Sequence, residues 1–276
     1  MHAYWNYLIK RAGGTTIFVG LSKIAEVVVY APVCAIVIAM SAGAPRAPIS
    51  EAAVLVTVGA ALTLANYVAL AQGYSRGDLS MIYPLSRGAG LLFLPAFGYL
   101  VFGERLSATG WTAVGMILVA LVVTSRPSVT TERAVSRAAV LFALLAGLAA
   151  AGYTVWDKRA IQRIPTFLYF YAYSVLVAIA YAVLLRARFS REELEAEWRR
   201  HRRPIMLVGI LNTAAYLLIL VALKSATSTY VIAVRQLSIA FGVGLGVWRL
   251  GESLPARKAV GVILLICGCA LVAFAA

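Results

Sequence analysis

The sequence predicts an all-α polytopic membrane protein with ten transmembrane helices arranged as two inverted five-helix repeats. Hydrophobic residues make up 62% of the chain and charged residues 13%, with a mean hydropathy of +0.87, which is more apolar surface than a soluble core could bury. Apolar runs of about 20 residues, the length of helix that crosses the hydrocarbon core, recur between short polar breaks. One long stretch of the chain also occurs twice.

The repeated stretch runs from Ser80 to Val123, and it recurs after a shift of 148 residues. The shift superimposes Arg87 on Arg235, Gly98 on Gly246, Gly103-Glu104 on Gly251-Glu252 and Lys10-Arg11-Ala12 on Lys158-Arg159-Ala160. The predicted domains are therefore a first repeat over 1–125, a connector over 126–137 and a second repeat over 138–276. Because five is an odd number, the second repeat enters the membrane from the opposite side.

The first predicted helix is incomplete, since its apolar residues 1–9 end at Lys10-Arg11. Its repeat partner, 138–157, predicts either a start about ten residues before Met1 or a short first helix. The other predicted spans are 16–40, 50–72, 79–102, 108–125, 138–157, 165–185, 204–223, 229–250 and 258–275.

A short helix at the lipid headgroups is predicted from Ser190 to Arg203. Ser190 and Glu193 have the spacing of a capping box, which stabilises a helix start. Trp198 would anchor this helix at the membrane surface, and its basic end would face anionic lipid.

The net charge of +14 does not indicate nucleic-acid binding, because the basic residues lie at the ends of apolar runs. Cys34, Cys267 and Cys269 fall inside apolar runs and are interpreted as small core residues, with neither a disulfide nor a metal site. No cofactor is expected.

Three cations lie inside predicted spans, where each costs ~2.5 to 3.5 kcal/mol on insertion scales unless it is compensated. Lys23 has Glu26 on the same helical face and can form an ion pair with it. Arg87 and Arg235 have no acidic residue three or four positions away. They either extend to the membrane surface or face a central cavity, where they would bind a carboxylate or phosphoryl group.

Helix-breaking residues surround Arg87, and Pro84 in particular predicts an interrupted helix of the kind that lines transporter sites. Aromatic and amide residues occur at a similar depth and are the other cavity candidates. They are Trp5, Asn6, Asn66, Tyr67, Tyr83, Tyr153, Trp156, Asp157, Asn212, Tyr216 and Gln236. The aromatic run from Tyr169 to Tyr173 is interpreted as part of an aromatic belt at the membrane surface.

These residues resemble the drug/metabolite transporter superfamily and its EamA-type permeases. The segments that carry the resemblance are 74–88, Gly103 to Leu106, 151–157, and Val234 to Ser238 leading to Gly251-Glu252. The resemblance implies ten helices in two inverted repeats and export of small metabolites or amino acids by alternating access. It also implies a cavity surrounded by helices 1, 3, 4, 6, 8 and 9.

The leading functional hypothesis is a secondary transporter in the inner membrane for a small anionic or zwitterionic metabolite. The sequence Gly-x-x-x-x-Gly-Lys-[Ser/Thr] is absent, so an ion gradient (H⁺ or Na⁺) or the substrate's own gradient would supply the energy. A lipid-carrier flippase on the same fold is a second hypothesis. A membrane enzyme is disfavoured because His2 and His201 are the only histidines and no acid/base cluster is found. The expected partners are a small-molecule substrate and the bilayer, with a homodimer left open.

The distribution of basic residues predicts the orientation of the chain. Sixteen Lys and Arg residues fall in the odd-numbered connections and six in the even-numbered ones. The positive-inside rule therefore places Arg199 to Arg203 in the cytoplasm and Ala276 outside, whereas the family resemblance implies cytoplasmic termini. Reporter fusions at the two positions decide between these orientations, and a cytoplasmic reporter signal at Ala276 would contradict the charge-based one.

Overall fold

The computed structural model describes residues 4, 8, 9, 12, 15–40, 47–76, 79–125, 136–250 and 254–275. All regular secondary structure in these residues is helical. The helices are α1 (Thr16–Met40), α2 (Ile49–Tyr74), α3 (Leu79–Phe102), α4 (Ala108–Ser125), α5 (Arg137–Ala160), α6 (Thr166–Arg188), α7 (Arg191–Leu223), α8 (Ser228–Arg235), α9 (Leu237–Leu250) and α10 (Ala256–Val272).

The helices match the second to tenth predicted spans and confirm an all-α polytopic membrane protein. Seven helical segments of the described chain are long and apolar enough to cross a bilayer, and the last of these, Ser228–Arg249, combines α8 and α9. The first predicted span, 1–9, lies outside the described residues except for Tyr4, Leu8 and Ile9. The count of ten helices and their inverted arrangement therefore stay predictions.

The helix interruption expected at Pro84 is not found there. Helix α3 runs without a break through both Pro84 and Pro95. The break lies between α8 and α9, at Gln236, inside the span predicted over 229–250. There the Gln236 N–H donates to the Ala233 carbonyl at 3.0 Å and the Ile239 N–H to the Gln236 carbonyl at 2.8 Å. Both bonds span three residues where an α-helix spans four, and this tightening ends α8.

The predicted headgroup helix forms the first part of α7, and a kink at His201 separates it from the span that follows. Ser190 and Glu193 form both hydrogen bonds of the predicted capping box. The backbone leaves helical geometry at His201 (φ −127°, ψ 18°), three residues before Pro204. A proline ring collides with the carbonyl of the fourth residue before it, which accounts for a kink at this position.

The chain forms two compact units. The first comprises 1–60 and 159–224, and in it α1 packs on α6 and α7. The second comprises 61–158 and 225–276, and in it α4 packs on α10 while α3 packs on α4 and α8. Each compact unit contains segments of both predicted repeats. The boundaries of the compact units therefore differ from the boundaries of the sequence repeats.

A buried carboxylate connects three helices of the first unit. Glu26 is 2% exposed, and Lys23 Nζ lies 3.1 Å from its Oε2, which confirms the predicted ion pair. Ser174 of α6 donates to Glu26 Oε1 at 3.0 Å, and Asn212 of α7 donates to Oε2 at 2.9 Å. Gly209 permits this approach, because a Cβ there would lie 3.0 Å from the Glu26 backbone nitrogen.

The aromatic belt predicted at the start of α6 is wrong. Tyr169, Phe170 and Tyr173 are 0%, 3% and 6% exposed and pack together in the first unit. Tyr216 of α7 joins them, with its ring centroid 5.7 Å from that of Phe170. Composition alone does not distinguish an aromatic cluster in a helix interface from a belt at the headgroups.

The interpretation of the cysteines as core residues holds for two of the three. All three thiols are free, with Cys34 and Cys269 buried and Cys269 donating to the Ala233 carbonyl at 3.4 Å. Cys267 is exposed, because it is two residues from Cys269 and therefore lies on another face of α10.

Removing one member of the Glu26 network should destabilise the protein more than removing the pair. Glu26→Leu leaves the Lys23 ammonium without its carboxylate, and breaking a buried ion pair in this way costs about 3–5 kcal/mol. The double variant Lys23→Met/Glu26→Leu should recover the part of that loss that comes from the unpaired ammonium, while the Ser174 and Asn212 donors still lack their acceptor. Thermal unfolding in detergent measures both, with Glu51→Gln in the exposed Glu51–Arg163 pair as the control. A double variant as unstable as Glu26→Leu would contradict the argument.

Candidate functional site

The second compact unit contains a partly open cavity, and the roughly 300 Å³ of space between its lining atoms includes space open to the outside. Helices α3, α5 and α8 line it together with the break that follows α8. The lining residues are Ser86, Arg87, Gly90, Leu94, Ala150, Ala151, Tyr153, Thr154, Ile232, Arg235 and Gln236.

Arg87 lies on α3 among tyrosines. Its Cζ is 5.1 Å from the ring centroid of Tyr83, one helical turn earlier, which is within the range of a cation–π contact. Tyr74 and Tyr153 also lie near its guanidinium. Within the described part of the chain no ion pair involves Arg87. The tyrosines orient this cation without neutralising it.

Arg235 and Gln236 reach the same cavity because α8 ends there. Arg235 is the last residue of α8, and Gln236 occupies the break and is 3% exposed. A cation in the last turn of a helix is stabilised by the negative end of the helix dipole. Helix α9 begins at the next residue, Leu237, so its positive end also lies beside the cavity wall.

The lining is strongly basic for its size. It contains two arginines and no aspartate or glutamate. The Ser86 and Thr154 hydroxyls donate to backbone carbonyls of their own helices, those of Tyr83 and Ala150, at 2.8 Å each. Two guanidiniums bordered by apolar side chains can bind a small anion through planar, charge-assisted hydrogen bonds.

The structure brings together five of the candidates that the sequence predicted. Arg87, Arg235, Tyr153 and Gln236 line the cavity, and Tyr83 lies against Arg87. The remaining candidates are not among the lining residues: Tyr67 and Trp156 are half-buried in the second unit, Asp157 is buried there, and Tyr216 packs on Phe170 in the first unit. Trp5 and Asn6 lie outside the described residues.

The two amide side chains among the candidates, those of Asn66 and Asn212, form hydrogen bonds outside the cavity. Asn66 donates to the Ala146 carbonyl at 2.7 Å and joins α2 to α5 in the second unit. Asn212 belongs to the Glu26 network of the first unit.

Sequence reasoning missed Ser86 and Thr154, although each is adjacent to a predicted residue. A serine or threonine hydroxyl within a helix commonly donates to a backbone carbonyl of that helix. The residue type alone therefore did not indicate a place on the cavity wall.

One wall of the cavity depends on a close contact between α3 and α5. A Cβ on Gly147 would collide with Ala89 Cβ and would lie 2.7 Å from Gly90 N and 2.8 Å from the Ser86 carbonyl oxygen. Gly147 therefore brings α5 against the segment of α3 that carries Arg87. Small residues at such contacts let membrane helices approach closely.

Comparison with known proteins identifies the family. A family model described as the EamA-like transporter family matches residues 137–274, which is half of the 276-residue chain. The chain belongs to the EamA-like transporter family. The resemblance of the sequence to the drug/metabolite transporter superfamily is confirmed, and so is its assignment as a multi-pass protein of the inner membrane.

The chain is also similar to curated bacterial proteins named "Spermidine export protein MdtI". It is 38% identical to that of Cronobacter sakazakii over 63 residues, 23% of this chain and 58% of the relative. Identity is 39% over 62 residues to that of Salmonella arizonae and 36% over 62 residues to that of Shigella flexneri, each 22% of this chain and 57% of the relative. The chain thus spans just over half the length of the curated relatives it matches.

A solved crystal structure, described only as that of a protein, has the same fold. It superimposes with a TM-score of 0.75 at 14% sequence identity, over 99% of this chain and 93% of the other. At this identity the likeness concerns the fold alone.

Gly147→Ala should destabilise the protein because the added methyl group collides with the backbone of α3. Overpacking of this kind typically costs about 1–3 kcal/mol. Gly115→Ala is the matched control, since a Cβ on Gly115 of α4 meets no atom within 4 Å. Thermal unfolding in detergent compares the two variants. An equal unfolding midpoint for both would show that α3 and α5 are not held at this distance.

Proposed function

We propose that the chain is a secondary transporter that exports small metabolites, such as amino acids or organic anions, by alternating access. The observation that supports the substrate class is the pair Arg87 and Arg235 on one cavity whose lining holds no carboxylate. The two arginines come from α3 and α8 and correspond to each other under the 148-residue repeat. A substrate carboxylate or phosphoryl group would supply the negative charge.

The chemistry of the guanidinium group favours a planar anion. Arginine offers five N–H donors in a rigid fork that matches the two oxygens of a carboxylate. The Arg87 Cζ lies 5.1 Å from the ring centroid of Tyr83, so the ring stabilises the cation without supplying a carboxylate. Leu94 and Ile232 supply apolar contact for the rest of the ligand.

The size of the cavity favours a small metabolite over a lipid carrier. The lining spans only nine residues of α3, from Ser86 to Leu94, and five of α5, from Ala150 to Thr154. A polyprenyl carrier would need a groove open to the bilayer along much of a helix. The flippase hypothesis therefore has less support than the metabolite hypothesis.

Polyamine export is a second candidate, because the curated relatives are named as spermidine exporters. The cavity opposes it on electrostatic grounds. Two like charges about 4 Å apart repel by about 4 kcal/mol at an effective dielectric constant of 20, and a polyamine carries several positive charges. Spermidine is therefore the informative comparison substrate.

Transport by purified protein in proteoliposomes tests the substrate class. Radiolabelled glutamate, an organic dicarboxylate and spermidine are compared at equal concentration, with protein-free vesicles as background. Anion flux above background with no spermidine flux supports the proposal. Spermidine flux alone would overturn it in favour of polyamine export.

Replacing Arg87 or Arg235 by Lys should reduce anion transport by about tenfold or more, because Lys keeps the charge but loses the planar fork. Arg105→Lys is the control, since Arg105 is exposed and outside the cavity. Arg87→Leu and Arg235→Leu should still insert, because an apolar residue removes a cost of ~2.5 to 3.5 kcal/mol. Wild-type transport rates in both Lys variants would rule out the binding role.

A further inference from the structure

A buried charge cluster in the second compact unit lies outside the cavity. Lys158 Nζ, near the end of α5, is 2.6 Å from Glu104 Oε1 and donates to the Ala226 carbonyl at 2.7 Å. The Glu104 carboxylate also accepts from the Ser228 backbone N–H at 3.0 and 3.1 Å and from the Ser228 hydroxyl at 3.0 Å. Both charged side chains are about nine-tenths buried.

Two glycines make room for Glu104 at this position. Gly103 has φ 67°, a conformation that favours glycine, and it turns the chain at the end of α3. The Glu104 N–H then donates to the Gly98 carbonyl at 3.2 Å. A Cβ on Gly98 would lie 2.5 Å from Glu104 Oε2, so a side chain there would displace the carboxylate.

The cluster lies about one helical turn from the cavity along two of the three helices that line it. On α5 the cavity residue Thr154 is four residues before Lys158, and on α8 Ile232 is four residues after Ser228. Four residues of α-helix rise about 6 Å. The end of α3 completes the cluster through Glu104. All three cavity helices are therefore held together at one end.

We propose that Glu104, Lys158 and Ser228 form a gate that closes this end of the cavity and opens during the transport cycle. The gate rests on the proposed transport function of the cavity. In the closed state the cluster ties the ends of α3, α5 and α8 to one another. In the open state the carboxylate and the ammonium separate and are hydrated at the membrane surface.

The energetics of buried ion pairs suit a gate better than a permanent brace. Desolvation of two buried charges roughly cancels their attraction, so a pair that regains water on separating loses little. The partners of the charges are also groups at helix ends, the Ala226 carbonyl and the Ser228 N–H, which water can satisfy when the gate opens.

The sequence repeat carries every residue type of the gate. At the 148-residue shift, Gly98, Gly103, Glu104, Lys158 and Ser228 correspond to Gly246, Gly251, Glu252, Lys10 and Ser80. A structural contact that was needed at one end of the fold alone would not require both sequence repeats to retain all five residue types. The correspondence supports a role for the cluster that both halves of the sequence share.

Thiol labelling of the cavity wall tests the gate without knowledge of the substrate. Thr154→Cys is introduced after Cys34, Cys267 and Cys269 are replaced by alanine, and a membrane-impermeant maleimide is applied from each side. Glu104→Gln should raise the labelling rate about tenfold or more from the side that carries residue 104, because the closed state would then bury the Lys158 ammonium without its carboxylate. Arg105→Gln, an exposed neighbour, is the control and should leave the rate unchanged.

A conservative variant guards against simple misfolding. Lys158→Arg keeps a cation beside Glu104 and a donor for the Ala226 carbonyl, so its labelling rate should stay near the low rate of the parent. Unchanged labelling in Glu104→Gln, or an equal rise from both sides, would overturn the gate. Its failure is distinct from failure of the anion proposal, because the Lys variants of Arg87 and Arg235 change transport and not access to Thr154.

Discussion

The free-energy cost of a charge inside a bilayer governs the arrangement of polar groups in this protein. An uncompensated cation at the centre of a membrane helix is expensive, so intramembrane charges are paired or face a cavity. Glu26 is satisfied by Lys23, Ser174 and Asn212, and Glu104 by Lys158 and Ser228. The lining of the cavity, unlike either cluster, holds two arginines and no carboxylate. In the proposed transporter, a substrate of opposite charge would bind there.

The same constraint applies to the backbone. Non-helical backbone at membrane depth is tolerated where it lines a cavity or is buried in protein. The break between α8 and α9 satisfies this condition, since Gln236 lies on the cavity wall and its neighbouring N–H groups bond back over three residues. The prolines of α3 need no such break, because each removes one donor while the helix continues on both sides. The presence of proline therefore did not determine where a helix ended.

The sequence predicted the helices and the two arginines because both signals are local. Apolar length predicts a span, the Ser190–Glu193 spacing predicts a capped start, and an arginine inside a span predicts a polar environment. Long-range partners could not be predicted. Ser174 and Asn212 are 148 and 186 residues from Glu26, and Lys158 is 54 from Glu104. The buried aromatic cluster of α6 was misplaced for the same reason, since its partner Tyr216 lies on another helix.

The charge of the substrate also bears on the energy source. Moving one elementary charge across the membrane is worth about 2.3 kcal/mol per 100 mV, or roughly a 50-fold concentration ratio. In a cell with a negative interior, this term favours export of an anion and opposes export of a polyamine, more strongly with each added positive charge. An anion exporter therefore needs no nucleotide-binding loop, in agreement with the absence of the Gly-x-x-x-x-Gly-Lys-[Ser/Thr] pattern. For the proposed transporter, a basic cavity and a gate that opens at little cost would be enough to use the membrane potential directly.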